Sequence, residues 1–183
     1  MPKQRLDPDT ITRTAMAIVE EGGIDALSLS SVAQRLDVGP SALYSHVDGL
    51  EGLRQLVALG AMRNMVTHVR RAAIGVSGPS AVRSVCDAYR SFARNHPGQF
   101  RSTMAPPLGA GGEMASAHEE LLDVLALVYQ GSGLSGTASA LAARQARNAV
   151  HGFVSLEAST GSTPGHDDLY GELIEAISRV LDS

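Results

Sequence analysis

The stretch Leu27–Leu53, LSLSSVAQRLDVGPSALYSHVDGLEGL, decides how the chain is read. Ser28 is placed to cap a helix, since its hydroxyl can accept from an unpaired amide one turn on. The helix it opens carries Val32, Ala33 and Leu36 on one narrow apolar stripe suited to a core. Asp37-Val38-Gly39 breaks the pattern, and Gly39 is free to take a turn conformation strained for most residues. Pro40 then suits the first position of a new helix, where a missing N–H does no harm. That brief helix spans Ser41, Ala42, Leu43, Tyr44, Ser45 and His46. Leu43 and Val47 face inward and leave Ser41, Ala42, Tyr44, Ser45 and His46 near or on the outside. Helix, glycine turn and helix with a polar outer face is the plan of a helix-turn-helix, whose second helix enters the major groove.

Working outward, Asp7-Pro8-Asp9 opens a first helix by cap, fixed φ and dipole. Its inner face is Ile11, Ala15, Ile18 and Val19, and Gly22-Gly23 stops it. With Leu27, Val32, Leu36, Val38, Leu43 and Val47 it forms one small core. From Gly49 a long helix runs to about Arg71, and residues 73–80, with two glycines and Pro79, form a break. Helices follow over about 80–95, a short one begun by Pro97, then 113–129, 135–158 (capped by Ser135) and 166–181. Ala138, Ala142, Ala149 and Gly152 recur at helical spacing, so another helix can approach there closely. The glycine-rich segment 105–112, APPLGAGG, follows no strand, which makes a phosphate-binding reading weak. With no sustained period-two alternation and no repeat, the expected fold class is all-α. The expected division is a DNA-binding domain over 1–48, a connecting helix over 49–71 and a larger helical domain over 72–183.

At 183 residues and 44% hydrophobic composition the chain can bury a core without staples. One cysteine, Cys86, excludes an internal disulfide framework and a multi-cysteine zinc site. No apolar run approaches the roughly 18 residues that span a bilayer. The N-terminal MPKQRLDPDT lacks the apolar stretch of a signal peptide. A soluble, cytoplasmic protein without membrane contact is expected. Net charge is −4, and residues 1–63 hold six basic against eight acidic side chains. A nucleic-acid binder usually shows a basic footprint, so here the argument rests on pattern.

The residues Ala15, Gly22, Leu29, Val32, Ala33, Leu36, Val38, Leu43, Tyr44, His46 and Leu53 resemble the N-terminal domain of the tetracycline-repressor (TetR) family. The spacing V-A-x-x-L-x-V-x-x-x-x-L-Y-x-H-V is far more specific than a generic helix-turn-helix. The match covers about the first third of the chain. NAVHGFVSLE, Asn148 to Glu157, is similar to a segment of one subgroup. The resemblance implies a ligand-responsive regulator, most often a repressor, that binds a pseudo-palindromic double-stranded operator. It also implies a homodimer paired through its last two long helices. Carried over residue by residue, it gives recognition positions Pro40, Ser41, Ala42, Tyr44, Ser45 and His46, with Tyr44 and His46 on the DNA backbone. Ser28, Ser30 and Ser31 can offer hydroxyls to phosphates, although a capping cluster explains them equally well. Where the family commonly has a lysine, this chain has Leu50, so the amides of Asp48 and Gly49 are expected to serve the phosphate instead.

The recognition segment has no Arg, Asn or Gln to read guanine or adenine by paired bonds. Modest specificity is therefore expected, with DNA shape or Arg35 helping. Tyr44 alone could equally be a half-buried core aromatic. For a small apolar or amphipathic effector the candidates are Tyr89, Phe92, Phe100, Met104, Met114, Tyr129, Arg147, His151 and Phe153, each of which could also be ordinary core. Of the aromatics after Tyr44 only Tyr170 is left out. No catalytic constellation appears: His166-Asp167-Asp168 is explained by a helix start, and His118 lacks a second histidine at zinc spacing. No cofactor or metal is expected. The competing reading is a helical small-molecule-binding or interaction protein that has lost DNA binding.

Overall fold

The computed structural model describes residues 6–104, 112–161 and 164–182. Among them run eight α-helices: α1 Pro8–Gly22, α2 Leu29–Arg35, α3 Gly49–Ala72, α4 Gly78–Asn95, α5 Pro97–Thr103, α6 Glu113–Gly131, α7 Gly136–Thr160 and α8 His166–Ser178. The all-α fold is as the periodicity requires. Two compact units emerge, one of residues 1–64 with 96–115, the other of 65–95 with 116–183. The glycine-rich 105–112 segment lies, apart from Gly112, outside the described residues.

In the first unit Asp7 caps α1 through its carboxylate, which accepts from the Thr10 amide at 2.8 Å. Gly23 ends that helix at φ 76, its N–H donating to Val19 O. Ile11, Ala15, Ile18 and Val19 face a core shared with Leu27, Val32, Ala33, Leu43, Val47, Leu53 and Val57. Leu36 and Val38 pack at its edge, half-buried. These units are cut differently from the division at 48 and 71 drawn from sequence: the boundary falls within α3, between residues 64 and 65, and residues 96–115, with α5, go with the first unit. Glu20 receives the Gly98 and Gln99 amides, both at 3.3 Å, and Asn64 donates to Gln99 at 3.0 Å. The approach is close because residue 98 has no side chain; a Cβ there would lie 2.4 Å from Val19 O.

The second unit is built on α4, α6, α7 and α8. Val82, Val85, Cys86, Tyr89, Phe92 and Ala93 of α4 are buried, as their spacing predicts. α6 contributes Leu121, Val124, Leu125, Val128 and Tyr129, while Leu122 is only half-buried. Ser135 occupies the position before α7, yet its side chain makes no cap hydrogen bond. Of the four small residues singled out on α7 only Ala142 is buried, since Ala138 and Gly152 are exposed and Ala149 half-buried; the buried small residues of α7 also include Ser139, Ala143 and Ala146.

An ionic junction that sequence reasoning missed fastens α4, α7 and α8 together. Arg90, itself buried, donates Nε to Glu157 at 3.0 Å and Nη2 to Glu157 at 2.6 Å and to Asp167 at 2.7 Å. Arg94 adds bonds to the same two carboxylates at 2.7 and 3.2 Å. The Arg90 guanidinium also sits 4.2 Å from the Tyr170 ring centroid and 5.4 Å from that of Phe153, a contact worth about 1–2 kcal/mol when desolvated. Hydrogen bonding to Arg90 first, and to Arg94 after it, holds the Glu157 carboxyl down to about 2.

Two consequences can be measured. Gly98→Ala should lower stability by about 1–3 kcal/mol, the usual range for overpacking, because the obstructing atom is backbone. Denaturant unfolding checks this, and an unchanged midpoint would refute the close approach. Glu157→Gln should cost about 3 kcal/mol at neutral pH by leaving Arg90 with an incomplete partner. The folded-state pKa of Glu157 lies below its ordinary 4.5, so its contribution is full above that value and fades as pH falls towards 2. The variant should accordingly lose less stability than the wild type across that acid range.

Candidate nucleic-acid interface

The exposed polar surface of the first unit is held in place by backbone chemistry at both ends of α2. At its start Ser28 and Ser31 form a reciprocal capping box: Ser31 N donates to Ser28 Oγ, and Ser28 N to Ser31 Oγ, each at 2.9 Å. The Ser31 hydroxyl also donates within this turn, to Ala26 O or Ser28 O. Two of the three serines read as phosphate donors are thus engaged in capping, and Ser30 is the exposed one. At the far end Val38 N bonds Ala33 O and Asp37 N bonds Gln34 O, the paired bonds of a Schellman cap. The left-handed residue this cap demands is Asp37, at φ 54. Gly39, expected to take that role, is extended at φ −70 and ψ 144. Aspartate tolerates the left-handed region better than most side chains.

Pro40 begins the next element as expected, but the result is a 3-10 turn over Pro40–Ala42 continued by turns through His46, not an α-helix. The seven residues between Gly39 and Val47 are too few to repay α-helix nucleation. Bonds from Leu43 N to Pro40 O and His46 N to Leu43 O tighten it instead, and Ser45 Oγ donates to Ala42 O at 3.0 Å. Leu43 and Val47 anchor the segment in the core, while Pro40, Ser41, Tyr44, Ser45 and His46 are exposed and Ala42 half-buried. Tyr44 is 63% exposed, which removes the half-buried core reading. Gly49 opens α3 at φ 62.

The charge near this surface is already engaged. Arg35 Nη1 and Nη2 reach both oxygens of Glu21, at 3.0 and 2.5 Å. That pairing raises the Arg35 pKa and lowers that of Glu21. Any help Arg35 gives to nucleic acid must compete with this partner.

The effector candidates do not form one group. Phe100, Met104 and Met114 belong to the first unit, where Phe100 is fully buried and Met104 exposed. The other six lie in the second unit. There Tyr89 and His151 are joined through the phenol oxygen and Nδ1 at 2.7 Å, with their rings edge-on. Burial first, then Arg147 and His118, lowers the His151 pKa, which keeps the ring neutral near pH 7. Arg147 donates to Asn148 at 3.0 Å. Phe92 stacks on His68, and Phe153 belongs to the ionic junction, against Tyr170 and His166. Tyr170 was left aside on sequence grounds, yet it is buried and carries the Arg90 contact. Its spacing of four from Ile174 on a helix was the available signal.

A family model described as "Tetracyclin repressor-like, C-terminal domain" matches residues 82–179. The helix-turn-helix-type transcriptional regulator Rv0681 of Mycobacterium tuberculosis is 32% identical over 154 residues, 84% of this chain and 71% of that one. Among solved structures, SCO7222, a TetR regulator from Streptomyces coelicolor, superposes with a TM-score of 0.69 at 19% identity, covering 97% of each chain. BioQ crystallised with its double-stranded DNA operator gives a TM-score of 0.66 at 22% identity, covering 95% of this chain and 99% of that one. A capped helix-turn-helix in the first unit, a C-terminal helical unit matched over most of its length and a relative of this identity agree, and the chain belongs to the tetracycline-repressor family of transcriptional regulators.

Proposed function

We propose that this protein is a cytoplasmic, homodimeric transcriptional regulator, most simply a repressor, that grips a pseudo-palindromic DNA operator and releases it on binding a small effector. The observation that carries the reading is the exposure of Tyr44 and His46 on a short segment anchored through Leu43 and Val47. BioQ, similar in fold, is a protein seen on its operator. No described helix is long and apolar enough to cross a membrane.

The DNA contacts assigned to this surface are Tyr44, His46, Ser30, Ser41 and Ser45, with the Gly49 amide at the start of α3. Ser28 and Ser31 position α2, and Pro40 and Ala42 shape the segment that enters the groove. Dimerisation is assigned to α7 and α8, where Leu141, Leu156 and Leu169 are 56, 65 and 58% exposed. Leu141, Gln145, Asn148, Gly152 and Leu156 follow one line along α7, and Gly152, with open space around it, allows a partner helix to come near. In a dimer two recognition segments must lie about 34–36 Å apart to enter successive major grooves on one side of the duplex. An effector in the second unit acts by favouring one arrangement of α3, and only to the extent that it binds the two states with different affinity.

Leu156→Glu should convert the dimer to monomer in sedimentation and lower operator affinity by at least about 100-fold through loss of the second half-site contact. An intact dimer would remove α7 from the interface. Tyr44→Phe, present twice per dimer, should weaken the operator complex by about 100-fold in a mobility-shift titration without changing stability. Wild-type affinity must also fall steeply with salt; a flat salt dependence would favour a binding protein without DNA function.

A further inference from the structure

Tyr89 of α4 and His151 of α7 meet where these two helices pack, 62 residues apart in sequence, with the phenol oxygen 2.7 Å from Nδ1. Their rings stand edge-on, 6.2 Å between centroids and 86° between planes. Tyr89 is 3% exposed and His151 half-buried, so solvent reaches the pair from the histidine side. The distance decides which group donates. Roughly 2.7 Å is ordinary for an O–H donor and the lower limit for an N–H donor. Tyr89 therefore donates its proton to Nδ1, and the neutral imidazole carries its own hydrogen on Nε2.

This arrangement suits one protonation state. A second proton on the imidazole goes to Nδ1 and turns the acceptor into a donor. Two hydrogens then face each other unless the phenol turns its own away. The phenol offers no negative charge in exchange, because burial pushes its pKa above the ordinary range. The other groups bearing on the ring are Arg147, one turn earlier on α7, and His118 of α6. Arg147 is positive and His118 can only become so, and an imidazolium gains a counter-charge from neither. The hydrogen bond and its surroundings both favour the neutral ring. Burial first, then these two residues, lower its pKa accordingly.

We propose that Tyr89 and His151 form a pH-sensitive joint between α4 and α7, closed while the imidazole is neutral and opened by mild acid. In the unfolded chain the ring takes its ordinary pKa of 6.5, and in the folded chain a lower one. The joint's contribution to stability is complete above 6.5 and is lost as pH falls through the folded value. The loss begins at higher pH than that of Glu157, whose contribution fades only below 4.5. α7 also carries the face assigned to dimerisation, so on that reading mild acid loosens a helix of the paired surface.

Denaturant unfolding of the full chain, at one protein concentration and at one pH unit above and one below 6.5, tests the joint. His151→Gln keeps an acceptor for the phenol in its side-chain carbonyl and cannot titrate. Between the two pH values the folding equilibrium constant of the wild type should fall about two- to tenfold more than that of His151→Gln, tenfold being the limit for one histidine. The chain has six histidines, and the other five are common to both proteins and cancel. In a nuclear magnetic resonance titration the His151 midpoint should lie below 6.5, and Tyr89→Phe, which removes the donor, should move it upward. An equal pH dependence in wild type and His151→Gln, or a His151 midpoint unmoved by Tyr89→Phe, would overturn the joint. Should His151→Gln fail to fold, the Tyr89→Phe titration decides alone. Sedimentation of the same samples separates the joint from the dimer. A monomer whose stability follows His151 keeps the joint and removes the dimer, whereas a dimer with equal pH dependence in both proteins removes only the joint.

Discussion

A guanidinium buried beneath a tyrosine ring organises the C-terminal unit. Arg90 has nowhere to place its charge except against Glu157 and Asp167, and those residues come from α7 and α8. Burying an ion is expensive, and the expense is offset only when every donor has a partner in good geometry. Once Arg90 is fixed on α4, the last turns of α7 and the first turn of α8 have little freedom. The apolar residues on the outer side of α7 and α8 are then presented by helices whose inner side is already tied down. A dimer interface needs this kind of support, since two loose helices would lose ordering entropy on pairing.

The N-terminal unit solves a different problem, because its elements are short. α2 has seven residues and the recognition segment no full α-helical turn of its own. Neither would persist alone. The capping box at Ser28 and Ser31, the Schellman bonds after Arg35 and the buried Leu43 and Val47 substitute for helix length. α5 is brought in by Glu20, which meets its first amides, and by the bare backbone at Gly98. Little of this scaffold is charged towards a partner, and Arg35 is turned to Glu21. On the proposed reading, DNA affinity would draw on hydroxyls, backbone amides and the doubling of sites in a dimer more than on net charge.

What could be read from the sequence follows from what is local. The positions of the helices outside the recognition segment, the Asp7 and Ser28 caps, Pro40 and Pro97 as starts and the inner faces of α1 and α4 depend on neighbours within about four residues, and they stand as expected. Errors arose where two local solutions compete. Asp37, not Gly39, took the left-handed position because the cap counts from the end of α2 and not from the nearest glycine. Long-range pairs were invisible: Arg90 and Glu157 are separated by 67 residues, and nothing in either segment announces the other. For the same reason α5 could be found but not assigned to its unit, since its partner is the end of α1. The aromatic set failed as a group because composition cannot tell Phe100, in one core, from Phe153, in another.

The second unit meets its buried charge from three helices at once. Arg90 on α4 is held by Glu157 of α7 and Asp167 of α8, and Tyr170, one turn into α8, lies with its ring centroid 4.2 Å from the guanidinium. A buried cation that loses one of its partners is left incompletely compensated, so a change on any one of these helices reaches the other two through a single side chain. That makes Arg90 the point at which the ends of α7 and α8 are set together.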